Sequence, residues 1–397
     1  MLPAEQRLLL VIPEERSFQG LFIDLAGAAR DAGMRVTVAT RAPQNGKWLT
    51  DRGFQFVPLG LRRGRLNPLR ECVSVLQMVQ LYRRERPAIV HHMFMKPILY
   101  GSWAARLAGV PVVVNTFAGL GFAFAAEGWR SRLLRAGLTI GLRSALRLPK
   151  SRALFENSTD RERLIRAKVV TSEQIVLSGA GIDIKKFQPM PEKDGIPIVL
   201  LASRMLWAKG IGEFVQAARL LKEQKVAGRF VLVGPPDPDN PTSVSEAELR
   251  AWQQEGLVEW WGPQENILPV LAASHVIALP TFYGEGLPRI LLEAQACARP
   301  VVASTIAGCR AIVSDGHNGF LVPPKDPVTL ANRIKVLLED RDLRVRMGTC
   351  GRERVVKEFS IDQVVQRTLE LYRELTDSCD GIAQPAPSES SARVSSC

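Results

Sequence analysis

The stretch FYGEGLPRILLEA, residues 282–294, carries two acids, Glu285 and Glu293, around a Gly-Leu-Pro turn. Pro288 suits the first turn of a helix, where a missing N–H is no loss. The N–H groups of Leu287, Arg289 and Ile290 then face out of the helix start, a natural seat for a phosphate. Gly284 and Gly286 let the backbone approach a ligand with no Cβ in the way. A carboxylate accepts paired hydrogen bonds from adjacent hydroxyls, which a sugar or ribose offers. Upstream, RMLWAKG supplies Arg204 and Lys209, two cations suited to a diphosphate. The chemistry would be recognition of a phosphorylated sugar, with charge on a departing phosphate met by fixed cations and N–H groups. Two plainer readings stand beside this one. Glu293 fits an i,i+4 ion pair with Arg289, and Arg204 and Lys209 alone fit ordinary loop charges.

These residues need strands to place them. Short apolar runs alternate with longer helical segments along the chain, which predicts an α/β protein with parallel sheets. Strands are expected at RLLLVIP, RVTVAT, FQFVPL, AIVHHM, PVVVNTF and RALFEN. The rhythm restarts with IPIVLLAS, RFVLVG, LVEWWG, HVIALPT, PVVAST and GFLVP. Two doubly wound, Rossmann-like halves are therefore expected to face each other across a cleft. They are read as residues 1–188 and 189–360, joined through a Pro-rich and charged linker at 188–197. Residues 361–376 form an amphipathic helix that packs back toward the first half. The Ser/Ala/Pro-rich residues 377–397 read as a disordered tail. In open parallel sheets, ligands sit beyond the carboxyl ends of strands. Arg204 and Lys209 follow one such end, and Glu285 follows another.

ASRMLWAKGIGEFV, PTFYGEGLPRILLEAQACARPVVAS and DGHNGFLVP resemble the donor-binding half of retaining glycosyltransferases of family 4, with the GT-B fold. FENSTDRERLI and GAGIDIKKFQP extend the resemblance to about 360 residues. The resemblance implies a nucleotide-sugar donor, with UDP-sugar expected, and no metal or other cofactor. It implies that Glu293 holds the ribose, Glu285 the sugar hydroxyls, and Arg204 and Lys209 the diphosphate, with Gly286, Leu287 and Pro288 shaping those contacts. It also implies retention at the anomeric carbon, not the acid/base pair of a hydrolase. Asp237-Pro238-Asp239 has the spacing of a metal motif, but it sits in a proline-rich loop where turn formation explains the acids.

In the first half, residues 90–124 place His91, His92 and Lys96 after one strand, then Asn115 and a Gly-Leu-Gly loop, Gly119 to Gly121, after the next. His92 is the catalytic candidate there, with His91 equally readable as a core histidine. Lys96, Asn115, Gly119 and Gly121, with Ser17 and Gly20 of the N-terminal loop, are the acceptor-side candidates. Related enzymes that extend lipid-linked sugars carry a similar glycine-aromatic loop. The resemblance thus implies a polyprenyl-diphosphate-linked saccharide as acceptor, in surface polysaccharide or glycan assembly.

Net charge sharpens the partner. The chain carries +12 overall, and residues 1–190 hold 29 Lys+Arg against 14 Asp+Glu. Residues 128–155 contain seven basic residues and no acid, interleaved with leucines and Trp129. With the basic patch at 61–70, this suits a helix on an anionic membrane, each basic residue contributing about 1 kcal/mol. A core helix with a basic exposed edge is the alternative. The expected location is cytoplasmic, peripheral to the inner face of the cell membrane. No run of eighteen apolar residues appears, and MLPAEQRLLLVIP reads as a first strand rather than a signal peptide. The six cysteines show no metal or redox spacing. A nucleotide-sugar epimerase of the same fold is the second reading, though it has no need of a basic, apolar first half. A nucleic-acid-binding protein is the third, opposed by the few aromatics among the basic residues.

Overall fold

The computed structural model describes residues 6–380, apart from 16–17, 20–21, 42–45, 62–67, 121–123, 125–128, 178–179, 239 and 283. Ser17, Gly20, Gly121 and Asp239 lie outside the described residues.

Near-continuous apolar runs favour strands buried on both faces. Seven of them form a parallel sheet in the order β3-β2-β1-β4-β5-β6-β7. These are β1 (Arg7–Val11), β2 (Arg35–Thr40), β3 (Gln55–Pro58), β4 (Ile89–Met93), β5 (Val112–Phe117), β6 (Ser151–Phe155) and β7 (Ile175–Leu177). The second sheet is also parallel, in the order β10-β9-β8-β11-β12-β13. It comprises β8 (Ile198–Ala202), β9 (Arg229–Val233), β10 (Glu259–Trp260), β11 (Val276–Leu279), β12 (Val301–Ser304) and β13 (Gly319–Val322). Each sheet is covered on both faces by helices, with two hydrophobic clusters per sheet.

The strand order reverses between β1 and β4 in the first sheet, and between β8 and β11 in the second. At such a reversal the loops leaving adjacent strands diverge and open a crevice. The loops after β8 and β11 are the ones that carry Arg204, Lys209 and Glu285.

The expected linker is fastened to the second half. Buried Arg344 pairs with buried Glu192 at 2.9 Å, and Arg299 donates to the carbonyls of Met190 and Pro191. The two chain crossings instead run side by side a little upstream. Ile182 N–H donates to Phe359 O at 2.8 Å and Ile361 N–H to Ile182 O at 2.9 Å. The chain then enters the helix Ile361–Asp380, which extends four residues into the stretch read as tail. Its Val365, Leu369, Tyr372 and Leu375 join the first sheet's core.

β7 is a strand the apolar pattern did not single out. It has only three residues and pairs with β6 alone, at the sheet edge. Residues 128–155 also divide differently from a single surface helix. The helix spans Trp129–Ala145, and residues 151–155 are β6.

Candidate active site

The loop after β8 is folded by its own turn. Trp207–Lys209 is one turn of 3-10 helix, closed by Gly210 at φ +81°. A Cβ on Gly210 would strike the Pro280 carbonyl, so only glycine lets this loop lie against the loop after β11. The Ala208 carbonyl then accepts from Phe282 N–H and Thr281 Oγ1, both at 3.0 Å. This zipping delivers Lys209 Nζ to Glu285 Oε2 at 2.7 Å, with both side chains mostly buried. Glu285 Oε1 is buried and has no hydrogen-bond partner. A buried carboxylate oxygen left open is costly unless something donates to it.

Arg204, from the same loop, pairs with Asp237 at 2.6 Å. Asp237, read from sequence as a turn acid, thus also holds an arginine in place. Glu293 sits one turn into the helix Arg289–Ala296 and pairs with Arg289 at 3.3 Å, the plainer of its two readings. Pro288 lies just before that helix and makes no side-chain cap. Its ring carries no acceptor, so this helix start lacks the N-cap side chain that most helix starts have. Leu287 N–H differs from expectation, since it donates to Glu156 Oε2 at 2.8 Å.

Glu156 belongs to the other half of the chain. It follows β6, immediately before Asn157, whose side chain accepts from Asp160 N–H and caps the helix Ser158–Arg166. That cap fixes the exit of β6 and turns Glu156 toward the second half. Burial raises its carboxyl to about 7, against the lowering effect of the Leu287 bond. Gly119, at φ +83°, meets Gly286 back to back, so that a Cβ on Gly119 would lie 2.5 Å from Gly286 N. Gly308 backs Gly286 from the other side. Three glycines thus allow backbones of both halves to touch at the proposed phosphate turn.

These contacts bring Lys209, Glu285, Gly286, Leu287 and Gly119 together, while Arg204 and Glu293 are held by their own partners, Asp237 and Arg289. His92, Asn115 and Lys96 do not join that cluster. His92 is fully buried, with Nδ1 2.9 Å from Asn115 Oδ1 and Nε2 2.9 Å from the Tyr82 hydroxyl. Asn115 Oδ1 only accepts, so His92 donates from Nδ1 and accepts the Tyr82 proton at Nε2. Asn115 is also bonded to Ser102 and Ser151. Burial holds His92 near 4 and His91 near 3, so both stay neutral in the core. The catalytic expectation for His92 is corrected on this ground: the ring is enclosed and both nitrogens are used. Lys96 is drawn to Glu71 at 2.9 Å, joining two helices of the first half. Glu156 is the residue that sequence reasoning passed over. Its signal, an acid in the stretch leaving a strand end, is of the kind that picked out Glu285, though Glu156 stands directly after β6 and Glu285 six residues beyond β11.

Residues 23–181 match the family described as glycosyl transferase 4-like domain, and residues 196–340 match glycosyl transferases group 1. The chain is 27% identical over 358 residues to the N,N'-diacetylbacillosaminyl-diphospho-undecaprenol alpha-1,3-N-acetylgalactosaminyltransferase of Campylobacter jejuni, covering 87% of this chain and 92% of that protein. It is 28% identical to the UDP-Gal:alpha-D-GlcNAc-diphosphoundecaprenol alpha-1,3-galactosyltransferase of Escherichia coli, covering 81% of this chain and 83% of that protein. The structure of Anabaena HepE in complex with UDP superposes with a TM-score of 0.73 at 20% identity, over 93% of this chain and all of that one. Two parallel-sheet halves, each matching its own glycosyltransferase family over the residues given, identify the chain as a member of the family 4 glycosyltransferases of GT-B fold.

Proposed function

We propose that this protein is a retaining transferase that moves a sugar from a nucleoside diphosphate, in the first instance UDP, to a polyprenyl-diphosphate-linked saccharide in surface polysaccharide assembly. The observation that carries the donor half of this reading is the Lys209–Glu285 pair, with Glu285 Oε1 buried and open beside the Gly286–Pro288 turn. One carboxylate oxygen holds the lysine, and the other is available to a sugar hydroxyl. The helix start at Arg289 offers N–H groups to the diphosphate. As the bond to the anomeric carbon breaks, Arg204 and Lys209, rather than a metal ion, take up charge on the leaving diphosphate. Acceptor attack from the face the diphosphate leaves would retain the configuration. Two relatives whose names specify undecaprenyl-diphosphate-linked acceptors, one of them with UDP-Gal as donor, support this choice of substrates.

The acceptor reading also draws on the helix Trp129–Ala145. Trp129, Leu133 and Ile140 are each 65% exposed, beside exposed Arg132. No helix among the described residues is long and apolar enough to cross a membrane. An exposed apolar and basic helix is what shallow docking on an anionic bilayer requires. This would place the protein on the inner face of the cell membrane, where a lipid-linked acceptor is reached.

The test is release of nucleoside diphosphate from a panel of UDP-, GDP- and ADP-sugars, with and without a polyprenyl-diphosphate sugar. Turnover stimulated by the lipid acceptor supports the reading. Conversion of a UDP-sugar to its epimer, without transfer, would replace it with the epimerase reading.

A further inference from the structure

Glu156 stands where two demands conflict. It is anchored in the first half, yet its Oε2 holds the Leu287 N–H of the second half at 2.8 Å. A Cβ on Gly286 would overlap that same oxygen. No ion pair to Glu156 is found among the described residues. Arg289 favours its charge and Asp160 opposes it. A carboxylate buried without a paired cation is held in its charged form only at a cost. The nearby Asp160 carboxyl is itself raised by burial. Glu156 borders a cavity of about 40 Å³ whose wall includes His91, Thr116, Phe22, Ile361 and Val365, and His91 stays neutral, held to about 3.

The Leu287 N–H also belongs to the turn that the donor would use. A diphosphate brings on the order of two negative charges, and an ionised carboxylate on the same N–H repels it. Both anions cannot hold that group together. We propose that Glu156 is a positioning residue that stands in for the donor: ionised, it keeps the Leu287 N–H and the 284–287 turn against the first half, and it yields that N–H to the sugar nucleotide in its protonated form. This rests on the donor reading of the same turn. The carboxyl, lifted by burial to about 7, then makes donor affinity fall as pH rises through neutrality.

The test uses the full chain and calorimetric binding of UDP, GDP and ADP. The tightest of the three is then measured at roughly pH 6 and pH 8 for the unchanged protein, Glu156→Gln and Glu156→Ala. Ionisation of the nucleotide is common to all three proteins and cancels in ratios. The dissociation constant of the unchanged protein relative to Glu156→Gln should rise about tenfold between those pH values, as expected for one group titrating near 7. Glu156→Ala, which removes the acceptor, should behave as Glu156→Gln does, so a folding defect in one variant leaves the other to decide. A ratio that does not change with pH, or weaker binding by both variants at each pH, overturns the proposal and leaves the donor reading standing. If the unchanged protein binds none of the three nucleotides, the donor reading falls and this proposal falls with it.

Discussion

Glu285 divides its carboxylate between Lys209 and an open, buried position, and the proposed roles predict different losses at Lys209 and at Glu293. Lys209→Ala leaves the mostly buried Glu285 without its cation and removes a charge from the proposed leaving-group side. Transfer should drop by about 100-fold or more, chiefly in kcat, and the melting temperature should also fall because a buried carboxylate loses its partner. Glu293→Ala should weaken donor binding more than turnover, read as a higher KM for the donor. Equal effects of the two substitutions on kcat would contradict this assignment of roles. Gly286→Ala meets three groups at once: Glu156 Oε2, Gly119 N at 2.8 Å and Ala118 C at 2.9 Å. The two halves must then part locally, so activity should be lost while each half stays folded. That Lys209 and Glu285 lie close together, with glycines beside them, was legible in the sequence because these residues follow strand ends beside turn residues. His92 and Asn115 satisfy the same pattern and mislead. Whether a strand-end polar side chain faces the cleft or the sheet's helical cover depends on register, and β4 is buried along its whole length.

At the scale of elements, apolar runs announced all the strands except β7, whose pairing comes from one neighbour rather than from its own sequence. The pattern of the helix Trp129–Ala145 left two readings open, and its packing combines them. Leu142 and Ala145 near its end are buried in the core, while Trp129, Leu133 and Ile140 project. Arg143 is not a surface charge of the kind its sequence implied, since its Nε donates to the Ala167 carbonyl at 2.7 Å. Membrane contact, if made here, uses the first turns. Leu133→Glu with Arg132→Glu should therefore abolish binding to vesicles rich in anionic lipid at low salt, measured by flotation, without altering release of nucleotide from the donor. Arg143→Ala should instead lower stability by about 1–3 kcal/mol through the unpaired carbonyl. Undiminished flotation of the double variant would assign the membrane surface elsewhere.

The whole molecule is tied together by a helix that starts at the domain crossing and ends on the first sheet. Tyr372 on that helix meets His91 Nδ1, and Thr116 Oγ1 meets His91 Nε2 at 2.6 Å. His91 and His92 are thus neutral in the folded state, held near 3 and 4 by burial, but in the unfolded chain they take protons near 6.5. Their contribution to stability is present above 6.5 and is lost as pH falls toward their folded values. Glu156 runs the other way, near 7 folded and 4.5 unfolded, so its contribution is present at low pH and is lost as pH rises through 7. Between about pH 5 and 5.5, where the unfolded histidines are mostly protonated, unfolding takes up close to two protons at the histidines and releases close to one from Glu156, a net of about one from these three groups. Stability of the first half should then fall by about 1.4 kcal/mol for each unit of acidification. Glu156→Gln removes the opposing proton and should steepen the slope to about 2.7 kcal/mol per unit. His92→Gln removes one of the two uptakes and should flatten it toward zero. Urea unfolding followed at several pH values in that window reads all three slopes. Identical slopes in the unchanged protein and Glu156→Gln would mean that Glu156 remains ionised across it, and that the contact between the halves carries no proton.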